Sequence, residues 1–144
     1  MIYLLDINVV IALVDSDHPH HAAATVFFKR AMNDGWATCP LTENGFLRIL
    51  GHPHYPGGPG SPEEARKLLV IYLAAPGHQF WADDLSLTEP RAIPVLPSSK
   101  QLTDFYLLAL AVKHRARLAT FDRHIDPAQI PGGEKALFVI DTTS

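Results

Sequence analysis

The chain has 144 residues, of which 47% are hydrophobic and 19% are charged, as in an ordinary globular protein. Because domains usually hold ~100–200 residues, we expect a single domain spanning 1–144. The one cysteine, Cys39, excludes an internal disulfide framework and a cysteine-based zinc site. A net charge of −3 argues against a protein that holds duplex nucleic acid by positive charge alone.

The N-terminal residues do not have the pattern of a signal peptide. The first cationic side chain is that of Lys29, and Asp6 interrupts the first apolar stretch. No apolar run in the sequence approaches the length that a membrane-spanning helix needs. We therefore expect a soluble, cytoplasmic protein without a membrane partner.

The N-terminal half predicts alternating strands and helices. Ile2–Leu5 is a short apolar run that ends at Asp6, which is typical of a buried strand. The β-branched run Asn8–Val14 fits either a strand or a helix. The next segment predicts a helix that has Asp17 as its N-cap and ends at Gly35. The remaining elements of this half are a strand over Trp36–Cys39 and a helix over Leu41–Leu50 that Gly51 stops.

The C-terminal half continues this alternation after a Pro/Gly loop at His52–Gly60. Ser61–Glu64 is a capping box that opens a helix ending near Pro76. The later elements are a strand over Gln79–Ala82, turns from Asp83 to Pro97, a helix over Leu102–Arg115, and strands over Leu118–Phe121 and Ala136–Ile140. This alternation predicts an α/β fold in which helices cover both faces of a mostly parallel sheet.

Four acidic residues fall at strand ends or helix starts. Asp6 and Asp122 each follow a predicted strand, whereas Glu43 and Asp104 lie near the starts of predicted helices. In a parallel sheet these ends meet at one edge, where ligands bind. Any one of these acids alone is explained by a turn or capping role. A cluster of buried carboxylates, however, favours a hard cation such as Mg²⁺ or Mn²⁺, and hence metal-assisted hydrolysis of a phosphate ester.

The segments that carry these acids resemble the PIN-domain ribonucleases, in particular the VapC-type toxins of bacterial toxin–antitoxin pairs. The resemblance lies in the order and spacing of four segments, Leu4–Ala12, Leu41–Glu43, Leu102–Ala111 and Leu118–Arg123. It implies a three-layer sandwich that uses Mg²⁺ or Mn²⁺ to cut single-stranded or loop RNA. It also implies a homodimer and a cognate antitoxin, whose C-terminal segment inhibits the enzyme by occupying its active-site groove.

Carried over by position, the resemblance implies a role for each matching residue. The catalytic acids are Asp6, Glu43, Asp104 and Asp122, of which Asp6, Asp104 and Asp122 bind the metal. Asn8 matches the polar residue that supports the first aspartate, and Thr120 matches the hydroxyl that precedes the last one. One departure is Ile7, because many family members carry Thr or Ser directly after the first aspartate.

Several further residues have both a functional and a structural interpretation. Arg123 and His124 are candidates for contacting RNA phosphate. Asp126 is either a fifth metal ligand or, more simply, a turn residue. The histidines near 18–21 and 52–54 are expected at the surface and not at a metal site. Among the aromatic residues, we expect Tyr55 to be available for stacking on a base, and Trp36, Phe80 and Trp81 to be buried.

Two alternatives to a ribonuclease remain open. One is a phosphatase of the haloacid dehalogenase type, whose signature also begins with an aspartate after the first strand. In that pattern the second aspartate would be replaced by Asn8, which removes the general acid. The other is a catalytically degenerate domain that binds RNA or protein. The presence of all four acids argues against it.

Overall fold

A computed structural model describes residues 1–143. Its centre is one sheet of five parallel strands in the order β3-β2-β1-β4-β5. The strands are β1 (Tyr3–Leu5), β2 (Trp36–Thr38), β3 (His78–Phe80), β4 (Arg117–Thr120) and β5 (Leu137–Val139). The predicted α/β fold with helices flanking a parallel sheet is therefore confirmed, and β1 lies at the middle of the sheet.

Six α-helices connect the strands or follow them. They are α1 (Ile7–Val14), α2 (His21–Asp34), α3 (Pro40–Leu50), α4 (Pro62–Leu73), α5 (Leu102–Lys113) and α6 (Gly133–Ala136). Short 3₁₀ turns cover Ser99–Gln101 and Pro127–Gln129. None of the helices within residues 1–143 combines the length and the apolar character needed to cross a membrane.

The two faces of the sheet are covered by separate apolar clusters. Along β1, Tyr3 and Leu5 belong to the cluster that α1 to α4 complete, whereas Leu4 points to the opposite cluster. This division follows from the period of two along a strand. Helix α5 fills the second cluster and is apolar around most of its circumference, since it buries seven consecutive residues from Phe105 to Ala111. Burial on both faces keeps the short central strands β1, β2 and β4 in place.

The ambiguous segment after β1 is a helix because Asp6 caps it. Asp6 Oδ1 accepts a hydrogen bond of 2.7 Å from the Ile7 amide, and the Asp6 carbonyl accepts from the amides of Val9 and Val10. The chain therefore turns from strand to helix within one residue. As a result, the first acidic side chain is held at the end of β1 by the start of α1.

Two predictions about individual residues are wrong. Asp17 is not the N-cap of α2, since His20 holds that position and the Asp17 amide donates to the Asp15 carboxylate in the preceding turn. Phe80 is 58% exposed because it lies on the edge strand β3, whereas Trp36 and Trp81 are buried as predicted. The first error arises from a local turn at Asp15–Asp17, and the second from the position of β3 at the edge of the sheet.

Element boundaries differ from the predicted ones by one to three residues. Strand β4 begins at Arg117 and ends before Phe121, because the Asp122 amide turns back to donate to the Thr120 hydroxyl. Helix α4 ends at Leu73, before the predicted end near Pro76. Strand β3 starts one residue earlier than predicted, and β5 is three residues long because Ala136 belongs to α6.

Candidate active site

The candidate site lies at the carboxyl ends of the two central strands. Leu5 of β1 is paired with Ala119 of β4, and the Asp6 amide donates to the Ala119 carbonyl at 3.0 Å. Asp6 therefore leaves its strand beside Thr120, the last residue of β4. The sheet thus brings together two residues that are 114 positions apart in the sequence.

Asp6 is a buried carboxylate, with only 5% of its surface exposed. Its Oδ2 accepts a hydrogen bond of 2.7 Å from the Thr120 hydroxyl, while Oδ1 accepts from the Ile7 amide. Burial raises the pKa of Asp6, the two hydrogen bonds oppose this increase, and the charge of Asp122 adds to it. The carboxylate is therefore oriented by two donors in a position where its negative charge is disfavoured.

Asp104 adds a second carboxylate from the first turn of α5. Burial raises the pKa of Asp104 to about 6, and the negative charges of Asp6 and Asp122 contribute to this increase. Asp104 therefore shares one electrostatic environment with the acids that follow β1 and β4. A divalent cation would relieve this repulsion between like charges.

Asp122 is oriented by the turn that follows β4. Its amide donates to the Thr120 hydroxyl at 3.0 Å, and its Oδ1 accepts from the His124 amide at 2.8 Å. The Thr120 hydroxyl thus contacts Asp6 on one side and the backbone of Asp122 on the other. One buried residue therefore organises both acids at this edge of the sheet.

Glu43 is held separately, in the first turn of α3. Its Oε2 accepts a hydrogen bond of 3.0 Å from the hydroxyl of Thr38, which ends β2. The same hydroxyl lies 2.8 Å from Nε2 of His78 on β3, and burial lowers the pKa of His78. Glu43 is not among the charges that shift the pKa of Asp6 or Asp104.

The approach of α3 to α1 depends on Gly45. A Cβ atom at this position would overlap the Ile7 side chain, whose Cγ1 and Cγ2 would lie 2.9 and 3.3 Å away. The large apolar side chain is accommodated here because the facing helix has a glycine. This contact therefore sets how closely the helix that carries Glu43 can approach the start of α1.

The donor chemistry of the cluster fits Mg²⁺ or Mn²⁺. All of the candidate ligands are carboxylates, the oxygen donors that these ions prefer. Within residues 1–143, no three His, Cys, Asp or Glu side chains are grouped closely enough to enclose an ion by themselves. Mg²⁺ usually keeps several of its water ligands, so the carboxylates that approach it need not enclose it by themselves.

The other predicted residues surround the acids without contacting them through side-chain hydrogen bonds. Asn8 is exposed on α1, and among residues 1–143 no side-chain hydrogen bond joins it to Asp6. The donors that do support Asp6 are Thr120 and the Ile7 amide. Arg123 and His124 are exposed in the turn beyond Asp122, in a position open to solvent.

Two side chains with open interpretations have structural roles. Asp126 caps the 3₁₀ turn that follows it, since its carboxylate accepts from the Ala128 amide at 3.1 Å. Tyr55 is half-buried against the apolar cluster of α1 to α4, and its hydroxyl donates to Asp15 at 2.7 Å. Its ring therefore packs against the protein and is not free to stack on a base, which differs from the prediction.

Thr38 and His78 form hydrogen bonds at Glu43 that were not predicted from the sequence. Thr38 lies within a predicted strand, and His78 stands just before another one. Their contact requires β2 and β3 to pair in the observed register, Trp36 with His78 and Thr38 with Phe80. No local pattern in the sequence indicates that register.

Comparisons with known proteins point to one family. The model of the PIN domain family matches residues 3–129. Ribonuclease VapC44 of Mycobacterium tuberculosis is 42% identical over 134 residues, which cover 92% of this chain and 94% of that protein. Ribonuclease VapC38 of the same organism is 42% identical over 119 residues, covering 83% of this chain and 84% of that protein.

A solved structure has the same fold at low sequence identity. The crystal structure of VapBC2 from Rickettsia felis, bound to a DNA fragment from their promoter, contains a chain that matches with a TM-score of 0.63. The match covers 98% of this chain and all of that chain at 14% identity. At this identity the likeness is evidence of a shared fold.

Proposed function

This chain belongs to the PIN-domain family and to its VapC ribonucleases, and from that premise we propose that it is a metal-dependent endoribonuclease acting as the toxin of a toxin–antitoxin pair. The observation that carries the proposal is that Asp6 and Asp122, at the carboxyl ends of β1 and β4, both contact the Thr120 hydroxyl. Asp104 of α5 adds a third negative charge close enough to interact with both. Carboxylates that repel one another at this edge of the sheet would bind a divalent cation, and such a cation assists the hydrolysis of a phosphodiester.

In this proposal three of the acids share one task and the fourth has another. Asp6, Asp104 and Asp122 hold a Mg²⁺ or Mn²⁺ ion, and Glu43 completes the site from α3. When bound, such an ion activates water and neutralises charge that develops on the scissile phosphate. Thr120 keeps the Asp6 carboxylate oriented through its hydrogen bond of 2.7 Å. Because Asp6 is buried, its orientation is maintained by the protein and not by bulk water.

The proposed substrate is single-stranded or loop RNA. Arg123 and His124 are exposed directly after Asp122, where their side chains can reach a phosphate near the acids. A cognate antitoxin is the proposed protein partner, in line with the VapC relatives and the VapBC2 structure. The cytoplasm, where RNA and an antitoxin would meet the enzyme, is the proposed location. The homodimer remains a prediction that light scattering would test.

The phosphatase alternative has less support than the ribonuclease. The second position of its signature is occupied by Asn8, an amide that cannot act as a general acid. The relatives that match most of this chain are named as ribonucleases. Turnover of a small phosphomonoester without cleavage of RNA would reverse this preference.

The direct test is cleavage of a mixed-sequence, structured RNA by the purified protein with Mn²⁺ or Mg²⁺. We expect cleavage that EDTA abolishes and that Asp6→Asn and Asp104→Asn each reduce by about 100-fold or more, as the loss of a central ligand should. Asp17 is an exposed aspartate outside the site, so Asp17→Asn serves as the matched control and should keep the wild-type rate. An Asp6→Asn protein that cuts RNA at the wild-type rate would refute the assignment.

A further inference from the structure

A chain of hydrogen bonds links the edge strand of the sheet to Glu43. His78 Nε2 lies 2.8 Å from Thr38 Oγ1, and Thr38 Oγ1 lies 3.0 Å from Glu43 Oε2. Among residues 1–143, Thr38 is the one side chain that hydrogen-bonds to the Glu43 carboxylate. We refer to these three residues as the Glu43 relay.

The number of hydrogens available determines which group donates in each hydrogen bond of the Glu43 relay. A threonine hydroxyl has one hydrogen to donate, and an ionised carboxylate can only accept. Since Thr38 donates to Glu43, it has no hydrogen left for His78. The His78 ring must therefore donate its Nε2–H to Thr38, which specifies one tautomer of the neutral imidazole.

The two donors in the relay are held by packing that does not involve Glu43. Thr38 is 1% exposed, at the end of β2. The ring of His78 lies against the buried indole of Trp36, with ring centroids 4.6 Å apart. The Trp36 indole N–H in turn donates to the Pro76 carbonyl at 2.9 Å. The relay therefore starts from side chains that are held by contacts with β2 and with the loop before β3.

Glu43, in contrast, is partly exposed in the first turn of α3. The long side chain of a glutamate has several rotamers to choose from. A glutamate loses conformational entropy when it is confined to a single rotamer, and the hydrogen bond from Thr38 offsets that loss. Hydrogen bonds to an ionised acceptor are also stronger than those between neutral groups. The relay thus selects one orientation of a carboxylate that would otherwise sample several.

We propose that Thr38 is a positioning residue for RNA hydrolysis, which orients the Glu43 carboxylate, and that His78 keeps the Thr38 hydroxyl pointing at Glu43. The inference rests on the proposed function, because it assigns Glu43 to the active site. It adds two residues from β2 and β3 to a site whose other members follow β1 and β4 or lie in the first turns of α3 and α5.

The first test observes the relay itself, without activity. In ¹⁵N-labelled protein, the His78 imidazole should give the NMR pattern of a neutral ring that is protonated at Nε2. Thr38→Val and Glu43→Gln should each shift the His78 ring signals, whereas Thr38→Ser should leave them close to wild type. If neither Thr38→Val nor Glu43→Gln moves these signals, the relay does not exist and the inference is wrong.

The second test measures steady-state cleavage of RNA. We expect Thr38→Val to lower kcat about tenfold with KM changed less than about twofold, and Thr38→Ser to restore kcat to within about twofold of wild type. His78→Phe should lower kcat by a smaller factor, since the Thr38 hydroxyl is then free to turn away. Thermal unfolding of each variant establishes that it is folded at the assay temperature.

The matched control is Thr25→Val, which makes the same chemical change on α2, away from any hydrogen bond to Glu43. It should leave both kcat and the His78 signals unchanged.

A Thr38→Val protein that shifts the His78 signals and yet keeps the wild-type kcat would overturn the positioning role. In contrast, a wild-type protein that cuts no RNA with either metal would refute the proposed function, and the NMR result would still decide whether the relay exists.

Discussion

The Thr120 hydroxyl donates to Asp6 Oδ2 at 2.7 Å and accepts from the Asp122 amide at 3.0 Å. This one buried hydroxyl therefore connects the acid after β1 with the acid after β4. It also supplies one of the two hydrogen bonds that limit the increase in the pKa of Asp6. The Asp6 carboxylate and the turn that carries Asp122 are thus held as a unit.

Thr120→Val should disrupt this unit while keeping the shape of the side chain. The variant leaves a buried carboxylate short of a donor, so we expect a loss of about 1–3 kcal/mol in the free energy of unfolding. Cleavage of RNA should fall at least about tenfold, since Asp6 loses its orientation. Urea unfolding and the RNA assay measure the two effects. A Thr120→Ser protein should stay close to wild type in both, and equal activity of the Val and Ser variants would contradict this role.

The pKa of Asp104 predicts how the stability of the metal-free protein depends on pH. Its value of about 6 in the folded protein lies above the ordinary value of 3.8, so the folded state binds more protons than the unfolded state between these pH values. This contribution to the free energy of unfolding is therefore present at low pH and is lost as pH rises from about 4 through 6. Unfolding measured in EDTA across this range should show the decrease.

Asp104→Asn should remove that dependence, because the amide carries no charge. In EDTA at pH 7 the variant should be more stable than wild type by about 1 kcal/mol. The gain is small because solvent reaches this half-buried side chain and screens its charge. The difference should shrink toward pH 4, where the wild-type carboxyl is protonated. An Asp104→Asn protein that is less stable than wild type at pH 7 would show that burial and like-charge repulsion do not disfavour the ionised Asp104 carboxylate.

Binding of a divalent cation should stabilise the protein against heat. A ligand at 100 times its Kd adds about 2.7 kcal/mol to the free energy of unfolding. For a chain of this length that corresponds to an increase in Tm of about 5–10 °C. Differential scanning calorimetry with Mn²⁺ and with EDTA measures the shift. The increase should be much smaller in Asp6→Asn, and an equal increase in that variant would place the ion elsewhere.

Gly45→Ala should destabilise the contact between α1 and α3. The added Cβ would overlap Ile7, and overpacking of this kind costs about 1–3 kcal/mol, partly offset by the better helix propensity of alanine. Cleavage of RNA should fall as well, because α3 carries Glu43. A double-mutant cycle with Ile7→Ala tests the cause, since the smaller side chain should recover most of the lost stability. Independent, additive effects would contradict the overlap.

The sequence by itself predicted the parallel α/β fold and the positions of the four acids along it. Asp6 and Asp122 follow apolar strands, and Glu43 and Asp104 begin helices. These features depend on residues that are neighbours in the chain, because strand burial, helix capping and breaks at Gly or Pro are local effects. Since parallel strands end at a common edge, the local pattern predicted that Asp6 and Asp122 lie at the same edge of the sheet, and they follow the paired strands β1 and β4.

Only the tertiary structure decided which side chains support those acids. The bond from Thr120 to Asp6 spans 114 residues, and that from His78 to Thr38 spans 40. The exposure of Phe80 likewise depends on β3 being an edge strand. Strand order and register arise from the packing of the whole core, so a hydrogen bond between two strands has no signature within either one. The acids were therefore visible in the sequence, whereas their partners became visible only when the strands were placed side by side.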